Sequence, residues 1–458
     1  MDELFTINSY KLDDTQINVI KSDAQNTLVV AGAGSGKTLT ILGLIKYLIE
    51  VKGYKKDEIL AISFTNETTI SLHNKLLDIG YDIEVLTFHK LGLKIIGDGY
   101  SVCQDQYIDY VVDEYFKSFI MNDKNRKELF KNILYMDETS NIFNTYNYKN
   151  LKILIKTFIN LLKSNNKDEY DLIKFYQHSY FNEKQLLRII LEIYILYKRE
   201  LESVNQIDFN DMISLAINKV KTSNLPFKYI IIDEFQDTSP VRFDLIKEII
   251  KYTGSRLFCV GDDFQSIYRF SGCNLDTFIN FHKYFDDVKV YYLKYTYRNS
   301  NELIKVSSSF VMKNPKQLKK SIVSNKDLDK PIVILFGYKL EDIIDKIDNP
   351  MILGRNNKDI DKLSYDNKYT IHKSKGLESD NVILVNSDNI PNNIKNERIL
   401  RYVLNDKDYI LHEEERRLFY VALTRTKNKI YILINKKISP FVKELINDYP
   451  EYIEIRKS

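Results

Sequence analysis

The residues with the plainest chemical meaning are Gly32, Ala33, Gly34, Ser35, Gly36, Lys37 and Thr38. They follow the apolar run Leu28-Val29-Val30-Ala31 and precede the helix-forming stretch Leu39–Leu48, so the order is strand, loop, helix. A glycine-rich loop in that setting frees backbone N–H groups to curl around a phosphate, and the helix N-terminus adds partial positive charge. Ala33, Gly34, Ser35 and Gly36 would then line the phosphates of ATP. Lys37 would bridge the β- and γ-phosphates, and Thr38 would offer its hydroxyl to Mg²⁺. One departure is visible, since the first glycine of the general pattern is Ala31 here. A metal-binding carboxylate should sit at the end of another buried strand, and Tyr229-Ile230-Ile231-Ile232-Asp233-Glu234 supplies it. Asp233 would hold the Mg²⁺, and Glu234 would polarise the attacking water.

Such a site needs parallel strands that end beside one another, and the chain has two sets of candidates. Thr27–Val30, Ile59–Ser63, Tyr229–Ile232 and Leu257–Val260 form the first; Val290–Leu293, Ile332–Phe336, Met351–Leu353, Val382–Val385 and Ile430–Ile434 form the second. Each run is followed by a turn and a helical pattern, the signature of α/β parallel sheets with sites at the strands' carboxyl ends. Between Ile95 and Asn205 the character changes. No glycine follows Gly99 there, and Leu186, Ile189, Ile190, Ile193 and Tyr197 fall at helical spacing, so this stretch reads as an all-helical insertion.

Composition sets outer bounds. At 458 residues the chain exceeds one comfortable core. Its 44% hydrophobic and 28% charged residues fit an ordinary globular protein. The net charge is only +3, so a polyanion must be held in a local groove. Cys103, Cys259 and Cys273 show no metal-type spacing and fit a reducing, cytoplasmic setting. Met1 to Tyr10 lacks the basic start and apolar core of a signal peptide, and no apolar run would span a bilayer.

The residues after Glu234 narrow the class. Asp233-Glu234-Phe235-Gln236-Asp237 resembles the D-E-x-Q-D signature of UvrD/Rep-type superfamily 1 helicases, and further motifs follow in that family's order. Leu12-Asp13-Asp14-Thr15-Gln16 resembles the Q-motif. Phe64-Thr65-Asn66 and Thr87-Phe88-His89 resemble the two nucleic-acid contact motifs, with Ser63 in place of a threonine. Gly261 to Tyr268 resembles motif III, Tyr297-Arg298-Asn299 motif IV, Thr370 to Glu378 motif V and Glu414 to Arg425 motif VI. The wording of motifs III and V is most similar to the helicase IV branch.

The resemblance implies two RecA-like P-loop domains with ATP between them and single-stranded DNA across their top. It implies a first domain, 1A, over 1–94 and 206–279, a helical insertion, 1B, over 95–205, and a second domain, 2A, over 280–458. The stretch from Arg298 to Thr370 is too short for the family's 2B subdomain, which should be absent or vestigial. Gln16 would meet the adenine edge, Tyr297 stack on the base, and Glu378 approach the ribose. Arg298 and Arg425 would reach the γ-phosphate, where guanidinium groups from a second domain stabilise the transition state. Gln236 and Gln265 would sense that phosphate. Phe64, Tyr268 and Phe270 would stack on bases, while Thr65, Asn66, Thr87, His89, Thr370, His372 and Lys375 would contact the strand's backbone. Arg416 and Arg417, among acids on a helix face, read as structural. Motif III departs from the family's Trp-Arg-Gly ending: Phe270-Ser271-Gly272 keeps a stacking ring but loses a cation.

The activity implied is ATP-driven movement along DNA, 3′ to 5′, on single strands or 3′-tailed duplexes, in repair, replication or phage defence. Two alternatives are a DNA-stimulated ATPase subunit feeding a nuclease partner and an ATPase remodelling an RNA polymerase complex. No nuclease constellation is present in the sequence, so cutting would need that partner.

Overall fold

The computed structural model describes residues 3–104, 106–124, 145–391, 397–404 and 412–458. Of the expected domain ranges, residues 1–2, 105, 125–144, 392–396 and 405–411 lie outside the described residues. Two six-stranded sheets, parallel throughout, organise the chain.

The strands of the first sheet are β1 (Asn26–Val30), β2 (Ile59–Ile62), β3 (Val85–Leu86), β4 (Tyr229–Ile232), β5 (Arg256–Gly261) and β6 (Val288–Tyr292). Their spatial order is β6-β1-β5-β4-β2-β3. Alternate residues serve opposite layers. Leu28, Val30, Ile230 and Ile232 pack one way, and Val29, Ala31, Tyr229 and Ile231 the other. A parallel strand covered on both faces has to be apolar at nearly every position, which is why these runs stand out in the sequence. The second sheet holds β7 (Ile332–Phe336), β8 (Pro350–Gly354), β9 (Lys368–Thr370), β10 (Asn381–Leu384), β11 (Ile430–Ile434) and β12 (Ile453–Lys457), ordered β9-β8-β10-β11-β7-β12. It too is covered on both faces.

One strand changes sheets relative to expectation. The run Val290–Leu293, placed in the second set by its position in the chain, lies in β6 up to Tyr292 and pairs there with β1 at the edge of the first sheet. Asp287 anchors it, accepting the Gln25 N–H at 2.8 Å through Oδ2 and the Asn26 N–H at 3.0 Å through its carbonyl. The chain therefore leaves the first sheet after Tyr292, beyond the boundary expected at 279. Its residues are mostly exposed, so the sequence carries an edge-strand pattern that does not say which sheet it joins.

The described part of the insertion is helical, with Tyr107–Tyr115, Tyr146–Ser164, Glu169–His178 and Phe181–Ser203 around a core that includes Ile155, Phe158, Leu172, Ile190 and Ile193. Its neck is closed where Ser101–Val102 pairs with Gln206–Ile207. Ile95 and Ile96 lie outside it, packed in the first domain's core. The second domain also reaches this insertion: Ile399, Leu400 and Val403 enter its core, and Arg401 and Tyr402 both meet Glu183 at 2.7 Å. Between Arg298 and Thr370 the chain builds the helix Asn301–Val311, β7, β8 and short turns, all part of the second domain. Among the described residues no helix is long and apolar enough to cross a membrane.

Candidate active site and nucleic-acid interface

The carboxyl end of β1 leads into the glycine-rich loop, and the helix Lys37–Glu50 starts directly behind it. Gly34 and Gly36 take φ of 70° and 76°, the left-handed region open to glycine at little cost. Space forbids a side chain as well: a Cβ would lie 2.5 Å from Arg298 Cβ at Gly34 and 2.6 Å from Gln16 Nε2 at Gly36. The linker from the second domain fastens to the same loop. Thr296 Oγ1 donates to Ala33 O at 2.8 Å, and the Tyr297 N–H donates to Gly34 O at 2.9 Å. Ser35 Oγ is buried without a hydrogen-bond partner among the described residues. An orphaned hydroxyl in a loop with no room for side chains fits a ligand rich in phosphate oxygens.

β4 ends at Asp233 and Glu234, facing that loop. Glu234 takes φ 51°, a left-handed backbone that a non-glycine residue adopts only under constraint. The turn aims its carboxylate at Lys37 Nζ, 2.6 Å away, and Gln236 Nε2 donates to its other oxygen at 2.6 Å. Burial opposes ionisation of both acids. For Glu234 the charges of Lys37 and Lys375 win and hold the carboxyl at about 2. For Asp233, burial and repulsion from Glu234 push it up to about 6. Two adjacent carboxylates with too little positive charge between them suit a divalent cation. Asp233 and Thr38 are the protein groups that fit Mg²⁺, which would polarise the transferring phosphoryl group.

The arginines arrive from the second domain. Arg425, at the end of the helix Glu413–Leu423, is 1% exposed. Its Nη2 donates to Gln265 Oε1 at 3.0 Å and its Nε to Val421 O at 3.1 Å. Burial, reinforced by the nearby Arg298 charge, lowers it to about 9. Arg298 donates from Nε to Glu378 Oε2 at 2.8 Å and from Nη1 to Thr424 O at 3.3 Å. Glu378 therefore lies against the arginine. Tyr297 is 60% exposed, with its hydroxyl donating to Asp13 Oδ2 at 2.8 Å, and Gln16 is buried with Nε2 on Gly36 O at 3.4 Å.

A buried polar chain joins these groups. Gln265 Nε2 donates to Asp262 Oδ2 at 2.6 Å, and Gln236 Oε1 accepts the Asp262 N–H at 2.9 Å. Lys320, from the second domain, ends the chain. Its side chain is 3% exposed; its ammonium pairs with Asp262, meets Asp263 at 2.6 Å and donates to Ala31 O at 2.8 Å. No motif marks it, because Lys319-Lys320 reads as a solvated charged pair.

The expected strand contacts converge from the carboxyl ends of β2, β3 and β9 and from the loop after β5. Phe64 stacks on Tyr268 at 5.4 Å with 19° between planes. Phe270, 55% exposed, meets Tyr268 at 6.0 Å and His372 at 5.7 Å, both edge-on. His89 packs at 4.6 Å on Phe209, an exposed ring that lies in none of the sequence motifs. Burial, with the Arg242 charge, lowers His89 to about 3; burial, with the Arg355 charge, lowers His372 to about 4. Both are neutral rings near pH 7. Asn66 is exposed at the start of the helix Asn66–Asp78. The hydroxyls of Thr65, Thr87 and Thr370 are occupied, accepting from Thr68 N, Lys90 N and Lys373 N at 3.2, 3.2 and 3.3 Å.

Lys375 is placed differently from the expected backbone contact. Its side chain is 8% exposed, its ammonium pairs with Asp237 and donates to Gln265 O at 2.8 Å, and Glu234 Oε2 lies 3.9 Å away. It faces the acids of the phosphate site because a buried ammonium must find a carboxylate. Arg416 forms a two-pronged pair with Glu444 at 2.6 and 3.0 Å, and Arg417 is buried against Ser266 O at 2.7 Å.

Comparison with known proteins bears on this geometry. The model of the UvrD/REP helicase N-terminal domain matches residues 12–286, and that of the UvrD-like helicase C-terminal domain matches residues 367–437. DNA helicase IV of Escherichia coli (strain K12) is 27% identical over 96% of this chain and 71% of its own length. ATP-dependent DNA helicase Rep of Buchnera aphidicola subsp. Baizongia pistaciae is 27% identical over 72% of this chain and 47% of its own. The Rep protein of Buchnera aphidicola subsp. Acyrthosiphon pisum is 28% identical over 73% and 50%. The chain thus spans about half the length of these Rep relatives.

Proposed function

The chain belongs to the UvrD/REP helicase family, and from that premise we propose that it is a cytoplasmic ATP-dependent motor that moves 3′ to 5′ along single-stranded DNA. The observation that carries this reading is one short loop. Gln265, which meets Arg425 beside the phosphate site, and Tyr268, which stacks on Phe64, are three residues apart after β5. A shift of one must move the other.

In this reading Lys37 and the loop N–H groups grip the nucleotide's phosphates, and Gln16 and Tyr297 flank its base. Glu234 takes a proton from the attacking water, and Arg298 and Arg425 balance the charge that builds on the γ-phosphoryl oxygens. Closing the cleft brings the arginines in, and Gln265 passes that motion to Tyr268 and Phe270 on the strand. Lys375, bridging Asp237 and the Gln265 carbonyl, couples the two halves of this path and does not itself touch DNA. The 2B subdomain of the family has no counterpart in this reading, which favours translocation over processive unwinding.

ATP turnover with and without single-stranded DNA, paired with displacement of strands from 3′- and 5′-tailed duplexes, tests it. Single strands should stimulate turnover, and any displacement should need a 3′ tail. Turnover indifferent to DNA would remove the motor reading, and displacement confined to 5′ tails would reverse its polarity.

A further inference from the structure

The helix Pro240–Thr253 begins beside the row of rings, and its third residue is Arg242. The guanidinium carbon lies 5.3 Å from the centroid of Phe64, the ring that stacks on Tyr268. Its field also reaches His89, a second group expected on the strand path. Its Nη1 is buried and has no hydrogen-bond partner among the described residues.

That condition contrasts with the buried lysines nearby. Lys320 lies on Asp262 and Asp263, Lys375 on Asp237, and Lys163 on Asp208 and Asp211. Arg242 has no carboxylate at ion-pair distance among the described residues; of the groups whose fields reach it, Cys273 is a buried thiol and Asp237 is already paired with Lys375. Burial lowers its pKa, which marks the charged form as under-solvated. A guanidinium held without a counter-charge is costly unless an anion arrives. Arg425 has the same character beside the glycine-rich loop, bonded among the described residues to carbonyl, amide and hydroxyl oxygens. Arg242 is its counterpart on the strand side.

We propose that Arg242 binds a phosphate of the nucleic-acid strand that crosses Phe64, Tyr268 and Phe270, supplying the cation that motif III lacks at Ser271. The inference rests on the strand-tracking reading above. The guanidinium, its carbon 5.3 Å from the Phe64 ring centroid, carries its N–H groups in a planar fork, a geometry that matches two phosphate oxygens.

The test is the affinity of a fluorescent oligothymidylate, read by anisotropy across a series of salt concentrations. Arg242→Gln should bind about tenfold more weakly, and the slope of log affinity against log salt should shrink by about 0.7, one phosphate's share for a single strand. Arg242→Lys keeps the point charge and should keep the wild-type slope. An Arg242→Gln slope equal to wild type, whether or not affinity falls, would overturn the proposal, because a packing role releases no counterions. Circular dichroism melting checks the fold. Should glutamine fail to fold there, Arg242→Met, unbranched and uncharged, takes its place with the same expected slope. A wild-type protein that ignores the oligonucleotide would instead sink the strand-tracking reading, and this inference with it.

Discussion

Glu234 shows how one residue's backbone sets the chemistry at the end of β4. Its φ of 51° turns the chain so that Asp233 and Glu234 face the phosphate loop from one strand end. Removing the charge alone, in Glu234→Gln, should keep that turn and slow ATP turnover by roughly 10² to 10⁴-fold, the usual span for losing a general base. Steady-state kinetics would show it as a fall in kcat; a loss below tenfold would assign the base elsewhere. The histidines make a prediction about pH. Unfolded imidazoles take up protons near 6.5, whereas burial holds His89 at about 3 and His372 at about 4. Below about 6.5 the unfolded chain therefore binds protons that the folded chain refuses. Stability from these groups is present above that value and is lost as pH falls, by at most ~2 kcal/mol per histidine near pH 5. Asp233 and Asp237, both pushed up to about 6, work in the opposite sense, so a difference measurement is needed. Melting His372→Phe and wild type at neutral and mildly acid pH should show the smaller acid loss in the variant.

At the scale of elements, the linker and the segment that follows the helix Asn301–Val311 hold the two sheets together. Residues Tyr295–Thr296 pair with Val323–Ser324, Ile322 covers Gly32, and Lys320 bridges Ala31 and Asp262 just past the carboxyl ends of β1 and β5. Lys320→Met would leave Asp262 and Asp263 buried with their ammonium gone, which should cost about 3–5 kcal/mol of stability. Urea denaturation measures it, and a loss under ~1 kcal/mol would show that those acids find other partners. Elements also show what the sequence can carry. Strands buried on both faces, such as β4, were legible because burial demands an apolar run, and the glycine-rich loop because its chemistry is local. β6 reads as part of the other sheet because an exposed edge strand does not encode its neighbour. Phe209, Lys320 and the inward turn of Lys375 escaped for the same reason: each acquires its role from a residue far along the chain. So does Arg242, whose partner Phe64 belongs to a different motif.

Across the whole molecule, the two proposed roles, phosphate chemistry and strand contact, would occupy the two sides of one interdomain seam. Lys37 and Glu234 come from the first sheet's domain and Arg298 and Arg425 from the second, while Tyr268, with Phe64 stacked on it, and Phe270 on one side meet His372 on the other. The insertion is tied across as well, through Arg401 and Tyr402 on Glu183. In the proposed function, a molecule built this way would have no complete phosphate site in either half. The most direct measurement is ATP turnover by Arg298→Ala at saturating single-stranded DNA, with binding of a fluorescent nucleotide confirming that the loop still holds its ligand. If the catalytic site is shared, kcat should fall by about 10³-fold or more, the usual worth of a γ-phosphate arginine, while the nucleotide still binds. A kcat within a few-fold of wild type would contradict a shared site and leave the first domain hydrolysing ATP on its own.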